Sequence, residues 1–197
     1  MKGAVAAGHP VTAEVGADAL RRGGNAVDAC VAAGFASWVT ESPLTGPGGG
    51  GFMLVHTRRA TRLLDFFVTV PRGERPAPDE ITVTFSGDQR QDFRVGTGTC
   101  AVPGTAAGLE EAHRRYGRLP WRDVVVPAIA LAREGVDVID GQAFLHELLA
   151  IVLRETPVAG LAIGSRFVMD DLASTLERIA EHGARIVYDG DLRHRTA

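Results

Sequence analysis

The chain has 197 residues, 45% of them hydrophobic, and a formal net charge of -3; that is ordinary globular composition, enough for one domain with a core. Its Lys and Arg residues are scattered without a basic stripe, which argues against a nucleic-acid partner, and no apolar run reaches the roughly 18 residues of a membrane span. The first ten residues hold one Lys and no long apolar stretch, so they do not read as a signal peptide, and a cytoplasmic location is expected.

In chain order, residues 3–10 predict a short inner strand running into a turn. Apolar residues at Val11, Val15, Ala19 and Leu20 then recur with helical spacing. Gly23 and Gly24 stop that helix, as a left-handed C-terminal position requires. Asn25 can cap a second helix over residues 25–39, with Asp28 at its positive end. This second helix is apolar nearly all round and should be buried on several sides.

Residues 52–56 and 62–67 predict two strands, the first of them buried, joined through residues 57–60 as a hairpin. Residues 70–80 carry three prolines and many charges and read as an exposed loop. Residues 81–85 alternate β-branched side chains and predict a strand, 86–92 a turn and 93–99 a short extended segment. From Val102 the pattern becomes helical. Thr105 reads as an N-cap with Gly117 as the stop, and a further helix covers 119–134 and closes at Gly135. Amphipathic helices are expected over 140–155 and 170–182, the second ending at Gly183. The residues after it start a new unit. Strands with buried helices first, then helices, make the class α+β or layered αβ, within a single domain over residues 1–197.

The stretch TGPGGGGFMLV begins at Thr45, and five of the six residues from Gly46 to Gly51 are glycine. Gly46, Gly48 and Gly51 even spell the dinucleotide-binding spacing. That fingerprint must follow a strand and open a helix. Here a helix precedes the glycines and a strand follows them, so the phosphate-cradle reading is set aside. Glycines flanked by apolar segments fit a place where backbones approach closely.

Cys30 and Cys100 are the only cysteines and lie outside any metal-ligand spacing, so both read as small buried hydrophobes, and no metal or other cofactor is implied. His9 reads as a turn residue before Pro10. Glu41 and Ser42 could line a site beside the glycines, with capping or turn roles the simpler reading. His113, His146 and His182 read as solvated on charged helix faces, and Trp38 and Trp121 as core anchors.

Three blocks in series carry a family resemblance: GGNAVDA from Gly23, GGGGF from Gly48 with LLDFF following, and VPGTAAGLE from Val102. In this order and spacing they resemble the gamma-glutamyltranspeptidase family over almost the whole chain. The resemblance implies part of an N-terminal nucleophile hydrolase, a four-layer α-β-β-α sandwich, the present chain being the N-terminal part of the large subunit. It implies a precursor that cuts itself to expose a threonine at the start of a smaller C-terminal subunit. It further implies a small-molecule amide substrate, a gamma-glutamyl compound or an analogue. Thr196 lacks the family's junction context, so no catalytic residue is assigned within this chain, which by itself should be inactive. A non-enzymatic truncated homologue, or an acylase with a different acyl group, is the alternative.

One position departs from the family. After the LDF strand the family usually has an arginine that holds the α-carboxylate of the glutamyl group, and here Phe67 stands in its place. A phenyl ring cannot pair with a carboxylate, whereas arginine does so bidentately. Either Phe67 is a core-facing strand residue with Arg62 or Arg72 serving the carboxylate, or the acyl preference has moved away from gamma-glutamyl groups.

Overall fold

In the computed structural model, which describes residues 3–154 and 156–189, His9 ends an irregular N-terminal stretch and starts helix α1 (Pro10–Arg21). The His9 imidazole accepts the Val11 N–H through Nδ1 at 3.1 Å, and Pro10 sits at the first helical position, where its missing N–H costs nothing. Arg22 closes the helix and Gly23 takes φ +93°. Asn25 then caps α2 (Ala26–Thr40). Its side-chain oxygen accepts from Val27 and Asp28, while Asp28 Oδ2 accepts the Asn25 N–H at 2.8 Å. This is a reciprocal cap with Asp in the place of the usual Glu.

The chain divides into two units: residues 1–68, 103–136 and 168–197, and residues 69–102 and 137–167. In the first, α2 is the central helix and packs against α1, α3 (Thr105–Tyr116) and α4 (Trp121–Glu134). Val31, Phe35, Trp38 and Val39 of α2 are buried, together with Val124 and Val125 of α4. Leu176 and Ile179 of α7 (Asp170–His182) complete the same core. Each large side chain so buried contributes about 1.5–3 kcal/mol. Phe35 meets Trp38 and Trp121 edge-on, at 4.9 and 5.6 Å between centroids. The Trp121 Nε1–H donates to the Ile179 carbonyl, so both tryptophans are anchors as expected. The last described element of this unit is α8 (Arg185–Asp189).

Within α4, Pro127 has no N–H to offer the carbonyl of Asp123 four residues back. Arg22 takes that carbonyl instead, through Nη1 at 3.2 Å, and pairs with the Asp123 carboxylate at 2.7 Å. A second tie joins the start of α2 to the turn before α4. The carboxylate of Asp28, itself fully buried, accepts the N–H groups of Arg118 and Leu119 at 2.9–3.1 Å.

The first unit also holds the hairpin of β1 (Gly51–His56) and β2 (Thr61–Phe66), antiparallel with Gly51 opposite Phe66 and His56 opposite Thr61. Thr57 closes the turn by bonding Ala60. The second unit contains β3 (Asp79–Ser86) paired with β4 (Gln89–Val95), helices α5 (Asp140–Leu148) and α6 (Ala150–Leu153), and a bridge between Thr69 and Val102. A two-residue ladder pairs β5 (Val136–Asp137) with β6 (Arg166–Phe167). The fold is α+β, with small antiparallel sheets.

Several expectations need correction. Residues 3–8 belong to no ladder among the described residues. β1 is not buried throughout; it alternates, with Val55 inside and Phe52 and Leu54 more than half exposed. The turn predicted over 86–92 is confined to Gly87 and Asp88, and β4 starts at Gln89. Thr105 is the first helical residue and Gly104 the cap. The helix expected over 140–155 breaks at Leu149, and Glu155 lies outside the described residues. Cys30 and Cys100 are exposed. His146 is buried and His113 half-buried, each with a ring nitrogen at a backbone carbonyl, Leu161 and Leu119 respectively.

Candidate functional site

The glycine loop starts where α2 ends. Glu41 closes that helix, and its carbonyl accepts the N–H groups of Leu44 and Thr45. Its carboxylate turns back toward α1, where Oε1 accepts the Thr12 hydroxyl at 2.9 Å. Thr12 and Thr40 lie 2.5 Å apart, oxygen to oxygen. The Thr40 hydroxyl also reaches the Ala36 carbonyl, at 3.2 Å, so Thr12, Thr40 and Glu41 form one polar cluster at the end of α2. His9 lies beside this cluster, 3% exposed. Burial holds its pKa below the usual value, against the opposing pull of the Glu41 carboxylate. The His9 Nε2 is buried without a hydrogen-bond partner among the described residues. Glu41 is thus a capping residue with a second bond into α1.

From Gly46 the chain makes a turn closed by the Gly49 N–H on the Gly46 carbonyl at 3.1 Å. None of the glycines from Gly46 to Gly51 has positive φ. Where glycine is needed it is for space, which singles out Gly50, since a Cβ at Gly46 or Gly48 would meet nothing within 4 Å. A Cβ at Gly50 would stand 2.5 Å from the amide nitrogen of Val68 and 2.8–2.9 Å from the Phe67 backbone. One at Gly104 would stand 2.0 Å from the Phe66 carbonyl oxygen, and one at Gly108 2.0 Å from the Phe66 ring. Residues 66–68 thus run between the glycine loop on one side and the first turn of α3 on the other. The Gly49 carbonyl ties the two sides together by accepting the N–H groups of Gly104 and Thr105 at 2.9 and 3.1 Å. This bond satisfies helix-end donors that no side chain caps.

Phe66 points under this arch toward α3, while Phe67 points outward, 56% exposed, so it is not a core residue. Its ring lies on that of Phe52, with centroids 5.5 Å apart and planes 10° from parallel. Its N–H donates to Asp65 Oδ1 at 3.0 Å. Arg62 lies on the other face of the hairpin, opposite Val55. It is five residues from Phe67, about 16 Å of extended strand, so it does not share a site with that ring. Arg72 belongs to the second unit, and Thr196 lies outside the described residues.

Sequence reasoning missed Phe52, Asp65, Gly104 and Gly108 as parts of this site. The glycine pair carried a usable signal: a four-residue spacing puts both on one helix face, a smooth one for close packing. A groove of about 640 Å³ lined by Glu110, Arg114, Trp121 and His182 lies in the same unit and includes no residue of the loop. Among the described residues no helix is long and apolar enough to cross a membrane, and no three His, Cys, Asp or Glu side chains gather as metal ligands.

Residues 12–196 match the family described as gamma-glutamyltranspeptidase. A glutathione hydrolase proenzyme of Pseudomonas aeruginosa is 37% identical over 194 residues, which cover 95% of this chain and 34% of that protein. One from Bacillus subtilis is 36% identical over 202 residues, with the same coverage of 95% and 34%. The chain spans about a third of the length of these relatives. Among solved structures, gamma-glutamyltranspeptidase from Pseudomonas nitroreducens, complexed with L-DON, is similar with a TM-score of 0.83 at 33% identity, over 98% of this chain and 59% of that one.

Proposed function

Since this chain belongs to the gamma-glutamyltranspeptidase family, we propose that it forms part of an amide hydrolase or acyl transferase acting on gamma-glutamyl or related amides. The observation that carries this reading is the match over nearly the whole chain, with the glycine loop, hairpin and α3 start all present as one packed arrangement. In this reading the chain supplies a wall of the acyl pocket and the frame behind it. The nucleophile is a threonine exposed by self-cleavage, at the head of a second subunit that completes the sandwich.

The chemistry follows from that threonine. Its α-amine titrates near pH 8, close to working pH, and lies within reach of its own hydroxyl. The hydroxyl oxygen attacks the amide carbonyl, its proton passes to the amine and then to the leaving nitrogen, and an acyl ester remains. Water, or an acceptor amine, cleaves that ester and restores the hydroxyl. The isolated chain, carrying neither hydroxyl nor amine of this kind, has no turnover.

Phe67 occupies the position of the family's carboxylate-binding arginine, and its exposed ring offers an apolar wall there. A glutamyl α-carboxylate on this wall loses water and gains no partner, so related amides lacking the carboxylate are favoured. The test is a full-length protein carrying this chain, assayed for self-cleavage and for turnover of a gamma-glutamyl anilide and its des-carboxy analogue. Phe67→Arg should move the ratio of the two kcat/KM values toward the gamma-glutamyl substrate. Absence of both self-cleavage and amide turnover refutes the enzyme reading, and an unmoved ratio refutes the role of Phe67.

A further inference from the structure

The outward face of the hairpin carries Phe52 and Leu54 from β1 and Leu63, Asp65 and the succeeding Phe67 from β2. Four of these five are large apolar side chains more than half exposed, at 56–68%. Two are rings already stacked on one another. We propose that the Phe52–Phe67 stack is a platform for the acyl part of the substrate, and that the acyl group it takes ends in a flat aryl ring without charge. Phe52 is the positioning residue, holding the Phe67 ring in the plane the substrate meets. The proposal rests on the reading of Phe67 as the wall of the acyl pocket.

Three observations support it. First, the platform is preorganised. The Phe67 backbone is held by the close approach of Gly50 and by the bond of its N–H to Asp65, and its ring is held by Phe52. Little side-chain freedom remains to be lost when a third ring is added. Second, the stack leaves ring surface open, and near-parallel offset aromatic contact adds attraction beyond area alone. Third, the charge on this face is of the wrong sign for a glutamyl group. Asp65 sits opposite Phe52 in the register. The one base on the face, His56, lies at the far end of the hairpin, bonded to Thr61. Four strand residues, about 13 Å, separate it from Phe52. A second carboxylate beside Asp65 would be repelled without a cation to offset it.

The test uses the chain itself, labelled with nitrogen-15, titrated with phenylacetamide, isovaleramide and L-glutamine. Phenylacetamide should shift the amide signals of Gly50, Phe52 and Phe67. Phe52→Leu, which keeps apolar bulk and removes the ring, should loosen phenylacetamide roughly two- to tenfold while leaving isovaleramide within about twofold. Phe67→Arg should bring in shifts from L-glutamine that the native chain does not show. No shift with phenylacetamide, or equal loosening of both apolar amides in a Phe52→Leu chain that melts normally, overturns the aryl platform. If phenylacetamide binds as stated but Phe67→Arg gains nothing for L-glutamine, the carboxylate reading of position 67 falls, and the assignment of the platform to the acyl pocket falls with it. A gain for L-glutamine without phenylacetamide binding removes the platform alone.

Discussion

Gly50 lies against Val68 so closely that a Cβ on the first would stand 2.5 Å from the backbone nitrogen of the second. Backbone cannot swing aside as a side chain can, so Gly50→Ala must push the loop off residues 66–68. The expected loss is about 1–3 kcal/mol. Gly48→Ala is the internal control, because nothing lies within 4 Å of its Cβ and its φ is not positive. It should be neutral or stabilise by up to about 1 kcal/mol through the unfolded chain. Urea titration of both variants checks this, and equal stability of the two would make the loop a plain connector.

Asp28 carries a second prediction. Its buried carboxylate receives three backbone N–H groups, those of Asn25, Arg118 and Leu119. Asp28→Ala leaves these donors without their acceptor and should cost about 3 kcal/mol or more. Asn25→Ala removes cap acceptance and should cost only about 1 kcal/mol. A smaller loss for Asp28→Ala than for Asn25→Ala in the same denaturant series would contradict the assignment.

His9 makes stability depend on pH. Folding keeps its imidazole neutral by burial, with Glu41 the charged group acting against that shift. The unfolded chain protonates it near pH 6.5. The unfolded state therefore binds more protons as pH falls below that value, and the folded state is weakened until its own lowered pKa is reached. The melting temperature should be flat above about pH 7.5 and fall toward pH 5.5. His9→Asn keeps an N-cap acceptor and should flatten the slope over that window. An unchanged slope would place the titrating group elsewhere.

Pro127 and Arg22 should be coupled. Pro127→Ala restores an N–H that can reach the Asp123 carbonyl, and should stabilise α4 by up to about 3 kcal/mol. Arg22→Ala should cost under about 1 kcal/mol in the native background, since the ion pair is surface-exposed. In the Pro127→Ala background it should cost less, because one of its two acceptors is already taken. A double-mutant cycle measures the difference; strict additivity would mean the Arg22 bond to that carbonyl carries nothing.

The elements with local signals were legible in the sequence. Asn25 and Asp28 announce a cap, Gly23 and Gly183 announce ends, and the polar turn at 57–60 announces the hairpin. Elements that depend on distant partners were not. Whether residues 3–8 join a sheet, and which face of β1 is covered, depends on neighbours that periodicity does not name. β4 was hidden because Gln89, Arg90, Gln91 and Asp92 are all polar and exposed, held by pairing with β3 and, at Asp92, by the Thr82 hydroxyl. At the site, Phe67 stood out through its motif. Its contact with Phe52 needed the hairpin register, which the turn length could have supplied: closing at residues 57–60 sets Phe52 opposite Asp65. The close packing of Gly104 and Gly108 on Phe66 joins segments about forty residues apart in the chain, and only the folded structure places them together.

The bond from the Gly49 carbonyl to the start of α3 bears on how the chain meets a protease. A glycine run is ordinarily an inviting place to cut, because cleavage needs several residues drawn out into an extended strand. Here one strand of backbone is pinned by two N–H groups and another lies against Val68, so drawing out the loop means unseating α3 and β2. Residues 72–78 are exposed throughout. Subtilisin under native conditions should therefore nick the chain first within residues 72–78 and spare 46–50, despite the glycines. Mass spectrometry of the first fragments decides it, and an early cut in the glycine run would show that this clasp opens far more readily than the rest of its unit.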